Sequence, residues 1–298
     1  MNSTSSAGSI YWRSLLYVPV TSQRFVDRAH IRGADAIQLD IEDSIPPSEK
    51  DQARRMLPAA VDLVAGRGVD VVVRINRPWR MAVRDLEVAV RPGVRALALP
   101  KIASADHVRM IDEVVTEVEA AAGMTAGSMR FIAMVETAAG FWRLQEIAAA
   151  SPRIVALTLG SEDFAASSGI PPEPQLQLVA NQMTVLAARA AGVLPLGLVG
   201  SIANYRDQTA FADVVKASRQ QGFVGASCIH PSQVPIVNEG FSPSSEEVDR
   251  AQRMLSEFDA AVAAGIGAVE FDGQMVDEPI VERSRAILRS YAAAQRAT

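Results

Sequence analysis

The amino-acid sequence predicts an α/β fold, a (β/α)8 TIM barrel with a C-terminal helical lid extension, on three observations. Eight short apolar runs alternate with longer amphipathic stretches, polar side chains gather at the C-terminal ends of those runs, and the pattern changes near Gly240. Parallel strands covered on both faces read as near-continuous aliphatic segments, and helices between them imply an eight-stranded barrel or a large doubly wound sheet. The count of eight selects the barrel.

The runs are Leu15 to Pro19, Ala36 to Asp40, Val71 to Ile75, Ala96 to Pro100, Phe131 to Glu136, Ile154 to Gly160, Val193 to Val199 and Ala226 to His230. After the second run, Pro46-Pro47-Ser48 opens a helix that Ser48 is expected to cap, with Asp51 at its third position; after the fourth, a helix over Asp106 to Ala122 ends at Gly123. The barrel is assigned residues 1–239 and the extension residues 240–298. The extension begins Ser/Pro-rich, then opens a helix near Ser244 with Glu247 at capping-box spacing. Val269 to Pro279 reads as a short hairpin or turn between two helices.

Composition removes several function classes. A chain of 298 residues, 49% apolar and 21% charged, buries a large core. Its net charge of −5 offers no field for a nucleic-acid backbone. The single cysteine, Cys228, has no internal disulfide partner and reads as packing within the eighth run. Met1 to Gly8 is Ser-rich without a basic or apolar leader pattern, and no apolar run approaches the ~20 residues of a membrane helix. A cytoplasmic location with no membrane partner is therefore expected.

In a parallel barrel all C-terminal strand ends face one mouth, where active sites of this architecture sit. Asp40, Glu42 and Asp43 follow the second run, Arg74 and Asn76 end the third, Lys101 follows the fourth, Glu136 ends the fifth, Asp163 follows the sixth and His230 ends the eighth. Phosphate-loop, dinucleotide and HExxH motifs are absent, and three histidines leave little for a zinc site or a Ser-His-Asp triad. Carboxylates dominate. Glu136 and Asp163, ending adjacent strands, suit Mg²⁺, a hard ion that takes one or two protein carboxylates and leaves other positions to substrate oxygens; capping of the following helices fits the same positions. Arg74 supplies a planar donor for a carboxylate or enolate, or a salt bridge to Glu42 or Asp43, and the two roles are compatible. Lys101 raises the alternative of a Schiff base, and His230 is expected to position its loop by a backbone hydrogen bond.

At these residues the chain resembles the citrate lyase β-subunit-like family of the HpcH/HpaI aldolase and citrate lyase superfamily. The resemblance runs from Arg13 to Leu288 through the ordered motifs RSLLYVP, GADAIQLDIEDSIPPSEKDQAR, VVRIN, LPK, MVETAAG, LGSEDF, GASCIHPSQV and GQMVDEP. It implies a (β/α)8 barrel that uses Mg²⁺, with Mn²⁺ as a substitute, to cleave or form a bond between a 2-keto acid and an acyl-thioester enolate. It implies Glu136 and Asp163 as metal ligands, Arg74 at the reacting carbonyl and Arg13 as a coenzyme A contact. In the malyl-coenzyme A lyase-like branch, which this chain is similar to, the Asp of a C-terminal VDxP element reaches a neighbouring subunit's mouth as acid or base, and Asp277 matches it. Glu42 joins Arg74 and Asp277 as a catalytic candidate, and Lys50, His230 and Pro231 join Arg13 as candidates beside the coenzyme. The chain departs from the common pattern at LGLVGSIANYRD, where many relatives have an Asp after strand seven, and at Ala226, where some carry Lys.

The implied reaction cleaves a 3-hydroxy-3-carboxyacyl-coenzyme A such as malyl-, citramalyl- or citryl-coenzyme A in a homotrimer or hexamer. A coenzyme-free 2-keto acid aldolase, a carrier-dependent citrate lyase β subunit and a keto-acid-binding barrel without activity are the alternatives. A shorter C-terminus is expected of the carrier-dependent subunits.

Overall fold

The computed structural model describes residues 10–203 and 205–297. The reading of Met1 to Gly8 as lacking a leader lies outside them. Trp12–Phe241 forms one compact unit, and Ser242–Thr298 belongs to another. Among the described residues, no helix is long and apolar enough to cross a membrane.

Eight parallel strands build the first unit: β1 (Ser14–Pro19), β2 (Ala36–Asp40), β3 (Asp70–Arg74), β4 (Val94–Leu99), β5 (Arg130–Val135), β6 (Ile154–Leu159), β7 (Leu194–Leu196) and β8 (Ala226–Cys228). Their order is β7-β6-β5-β4-β3-β2-β1-β8. A parallel bridge from Leu196 to Gly225 joins β7 to the approach to β8, so the sheet nearly closes on itself as a TIM-like barrel with flanking helices. The last two strands are shorter than their apolar runs. Gly197 turns the chain out of β7 at φ +153°, where a Cβ would meet the Phe223 ring at 3.0 Å, and β8 ends at Cys228.

Strand side chains alternate between the two faces of the sheet. Leu16 and Val18, Ile37 and Leu39, and Val71 and Val73 pack in one cluster with Leu57, Val61 and Leu86 of the helices. The opposite parity, Tyr17, Asp40, Arg74 and Met134, continued by Glu136, lines a cavity at the C-terminal strand ends. Period two therefore delivers polar groups to the mouth while the same strands bury aliphatic groups beneath the helices.

Helix starts differ from expectation in two places. Ser48 does not cap: Pro47–Glu49 forms a single 3₁₀ turn, and the α-helix runs over Lys50–Ala65 with no side-chain cap bond. Pro46 is extended ahead of Pro47, as a residue before proline must be, which delays the helix. Asp51 bonds Arg54 and Arg84 instead. The next expected helix starts one residue early, over Ala105–Ala121, because Ser104 accepts from His107 N at 3.2 Å.

In the second unit the Ser244–Glu247 capping box is present: Glu247 N donates to Ser244 Oγ at 3.1 Å, and Ser244 N to Glu247 Oε2 at 2.8 Å. Helix Ser245–Ala263 leads to an antiparallel hairpin, β9 (Val269–Phe271) and β10 (Gln274–Val276), then to helix Glu278–Ala297. The hairpin turns on Asp272 and Gly273 at φ +51° and +74°, the Asp-Gly pairing that a type I′ turn requires. Met254, Phe258, Phe271, Val276 and Val281 form this unit's own core.

Candidate active site

The register of the sheet assembles the site. Asp40 and Arg74 end adjacent strands as direct partners, so the guanidinium closes on the carboxylate with two parallel bonds, Nε to Oδ1 at 2.8 Å and a terminal nitrogen to Oδ2 at 2.7 Å. The other terminal nitrogen stands 3.0 Å from Glu42 Oε2 and 4.0 Å from Asp43. Burial opposes both charges of the main pair, but their mutual hydrogen bonds outweigh it, holding Asp40 below the usual carboxylate range and Arg74 above its ordinary value. Arg74 also lies over the Tyr17 ring, 4.5 Å from its centroid. Burial pushes the Tyr17 hydroxyl up to about 12, so it stays protonated.

Glu136, Asp163 and Arg74 line one cavity of about 310 Å³, together with Tyr17, Asp40, Ile202 and Ile229. Neither acidic group serves as a helix cap. Thr137 Oγ takes that place after β5 by accepting from Gly140 N at 3.1 Å, and after β6 the N-cap is Gly160, which has no side chain. Glu136 instead accepts from Lys101 N at 2.7 Å. Burial and then the charge of Asp163 push its pKa up to about 7. Gly160 leaves room for it: a Cβ there would sit 2.6 Å from Glu136 Cγ and 2.9 Å from Oε1. Two hard oxygen donors, one of them raised in pKa by its neighbour's like charge and opening onto a cradle without a Cβ, fit Mg²⁺.

Lys101 Nζ lies 2.9 Å from Glu42 Oε1, 3.4 Å from Asp43 and 3.9 Å from Asp163. Burial alone lowers its pKa, yet the bond to Glu42 prevails and the pKa is raised, which opposes the neutral amine a Schiff base needs. Burial likewise raises Glu42, although Arg74 and Lys101 pull the other way.

The coenzyme candidates separate. His230 and Pro231 line a second cavity, about 370 Å³, with Phe25, Ala29 and Arg32. His230 N donates to Gln233 Oε1 at 3.1 Å, which fixes its loop, and its ring stacks on Tyr205 at 4.7 Å between centroids. Arg13 precedes β1, at the barrel end opposite the mouth, and its guanidinium closes on Asp35 at 2.7 and 2.9 Å. Lys50 also stands apart from His230 and Pro231. It lines neither cavity, because its ammonium braces the loop after β2 by donating to Ile41 O at 3.1 Å and Glu42 O at 2.6 Å. Asp277 follows β10 in the second unit, ahead of helix Glu278–Ala297. Cys228 is buried, and burial pushes its thiol up to about 12, in keeping with a packing role.

Several residues of the mouth carry no prior expectation: Asp40 as the partner of Arg74, Tyr17, Gly160, and Gln233. The Gln233 side chain ties the loop after β7, through Ile202 O at 2.9 Å, to the loop after β8, through Ile229 N at 2.8 Å. Asp40 has a signal in the sequence, a carboxylate ending a strand beside a strand that ends in Arg; Gln233 has none.

Residues 13–231 match the family model described as HpcH/HpaI aldolase/citrate lyase. The chain belongs to this family. Among its relatives, citrate lyase subunit beta of Escherichia coli is 35% identical over 281 residues, 93% of this chain and 92% of that protein. L-malyl-CoA/beta-methylmalyl-CoA lyase of Cereibacter sphaeroides is 33% identical over 300 residues, 93% of each chain. The crystal structure of CitE from Mycobacterium tuberculosis in complex with magnesium, acetoacetate and coenzyme A superposes with a TM-score of 0.74 at 29% identity, covering 94% of this chain and 97% of that one. As a member of this family, the protein is a lyase. Because the match to the E. coli subunit takes in 93% of this chain, a shorter C-terminus does not set the citrate lyase subunits apart, and that expected discriminator fails.

Proposed function

We propose that the protein is a Mg²⁺-dependent carbon–carbon lyase that cleaves or forms a 3-hydroxy-3-carboxyacyl-coenzyme A, such as malyl-, citramalyl- or citryl-coenzyme A, with a 2-keto acid and an acyl-coenzyme A as the other side of the reaction. The observation that carries this reading is the convergence of Glu136, Asp163 and Arg74 on one cavity at the strand ends. Glu136 and Asp163 would hold Mg²⁺, or Mn²⁺ in its place. When bound, the ion supplies a Lewis acid for the hydroxyl and carboxylate oxygens of the substrate.

The chain's own groups do the rest. Asp40 and Glu42 engage three of the five guanidinium N–H donors of Arg74, which fixes the plane of the group and leaves its other donors for the thioester oxygen as it becomes an enolate. Glu42 thereby orients Arg74. The cavity at His230, Pro231 and Arg32 offers apolar walls, a stacked imidazole and a cation, a fit for the coenzyme. In the cleavage direction the C3 hydroxyl gives up its proton to water and its C–O bond becomes the C=O of the 2-keto acid, the C2–C3 bond breaks, its electrons pass to the thioester enolate, and a proton is then added at C2. Asp277, contributed by a neighbouring copy in a homotrimer or hexamer, is assigned the delivery of that proton and its removal in condensation.

The test is a panel of the three thioesters incubated with protein and Mg²⁺, with keto acid release followed. Release from at least one is expected; turnover confined to free hydroxy-keto acids points to the coenzyme-free aldolase, and turnover confined to carrier-bound thioesters points to a citrate lyase subunit. Co-expressed Asp277→Asn and Glu136→Ala chains should regain partial activity in mixed oligomers. No recovery in verified mixed oligomers removes Asp277 from the composite site.

A further inference from the structure

Lys101 follows β4 in a backbone conformation that side chains seldom adopt. Its φ is +51°, and the other non-glycine residue with positive φ among the described residues, Asp272, sits in a hairpin turn. Lysine lacks the short polar side chain that lets Asn or Asp settle there by local bonding, so contacts from outside must hold it. Those contacts are polar and all belong to the mouth. The Lys101 amide donates to Glu136 Oε2 at 2.7 Å, while the ammonium reaches Glu42 at 2.9 Å and Asp43 at 3.4 Å. The second Glu136 oxygen, Oε1, is the one toward the missing Cβ of Gly160. Asp163 lies at 3.9 Å, at the margin of the ammonium's reach.

We infer that Lys101 is a positioning residue that allocates the carboxylates of the mouth, keeping Glu42 and Asp43 for itself and Arg74 and leaving Glu136 Oε1 and Asp163 to a divalent cation. The inference rests on the cation reading above and adds to it a sign. A positive charge this close to Asp163 opposes the cation it helps to arrange, so removing the ammonium strengthens cation binding even as the arrangement loosens. A residue that merely supported the loop would weaken binding when lost.

The experiment is calorimetric titration of Mg²⁺ into the metal-free full-length protein, with folding of each variant checked by thermal melting. Lys101→Met keeps the amide bond to Glu136 and should bind Mg²⁺ about two- to fivefold more tightly, the scale of a partly exposed ion pair. Glu42→Gln releases the ammonium toward Asp163 and should weaken binding by a similar factor. Lys101→Arg keeps the charge and should retain wild-type affinity. If Lys101→Met fails to fold, the Glu42→Gln and Lys101→Arg arms decide. Unchanged or weaker binding by Lys101→Met, or unchanged or tighter binding by Glu42→Gln, overturns the inference while wild-type binding stands. A wild-type protein that takes up no Mg²⁺ overturns the cation reading and this inference with it.

Discussion

Glu119 and Glu136 are glutamates at opposite ends of the barrel, 0% and 3% exposed, and their pKa values move in opposite directions. Burial disfavours the charge of each. At Glu119 it is outweighed by Arg153, which donates to Oε1 and Oε2 at 2.9 and 2.8 Å, and by the amides of Met129 and Gly127 at 2.7 and 2.8 Å, so the pKa falls to about 2. At Glu136 burial is reinforced by Asp163, and the amide of Lys101 together with its charge does not offset them, so the pKa climbs to about 7. Arg13 with Asp35 and Arg74 with Asp40 repeat the contrast. The first pair meets at 2.7 Å away from the mouth, whereas Glu42 stands 3.0 Å from the guanidinium of the second. At the end opposite the mouth, Glu119 is matched by donors from within the chain. The mouth leaves an acidic pair short of positive charge, the condition in which a bound cation gains most.

The comparison breaks most visibly at its stabilising end. Glu119→Ala leaves Arg153 with Asp112, at 2.5 Å, as its remaining carboxylate and strips the Met129 and Gly127 amides of their acceptor, and should lower unfolding free energy by about 2–5 kcal/mol in denaturant titration; a loss below about 1 kcal/mol would show that this network is not what holds that end. At the mouth the large effect is on rate. Arg74→Lys keeps the charge but not the fork, and should cost about 10² to 10³ in turnover with melting little changed. Wild-type turnover by that variant would reduce Arg74 to a structural ion pair.

The two glutamates also differ in pH dependence. Glu136 has a folded pKa of about 7 against 4.5 for the unfolded group, so the stability contributed by its protonated form is fully present below pH 4.5 and is lost as pH rises to 7, about 3 kcal/mol in all. Metal-free wild type should therefore melt below Glu136→Gln at pH 8 and level with it at pH 4.5. Glu119, lowered, contributes stability that is present above pH 4.5 and lost as pH falls toward 2. Equal pH profiles for wild type and Glu136→Gln would mean that the acidic pair is already compensated. The smallest effect is expected at Gly160. Gly160→Ala drives a methyl into Glu136 Cγ and should cost about 1–3 kcal/mol, with weaker Mg²⁺ binding in the same sample.

Much of this molecule is readable from its residues because a parallel barrel repeats one pattern. Eight aliphatic runs announce eight strands, and the carboxylates and Arg74 stand at the run ends that a parallel sheet must gather. Arg13 could have been placed by the same rule, since it precedes its run and a parallel strand carries it away from the mouth. What adjacency in sequence does not carry is register. The pairing of Asp40 with Arg74 depends on which residue of β2 lies beside which of β3, and the span of Gln233 depends on two loops meeting. Ser48 shows a local rule losing to another local rule, because two prolines reshape the turn before a hydroxyl can cap it.

The most direct test of whether the mouth's acidic pair is a cation site is keto acid release from the thioester panel, measured in chelator and again after Mg²⁺ or Mn²⁺ is restored. Release should vanish with chelator and return with either ion, and Glu136→Ala should stay inactive throughout. Full release in chelator, with a borohydride-trapped keto acid adduct on Lys101, would contradict it and make the lysine the electron sink.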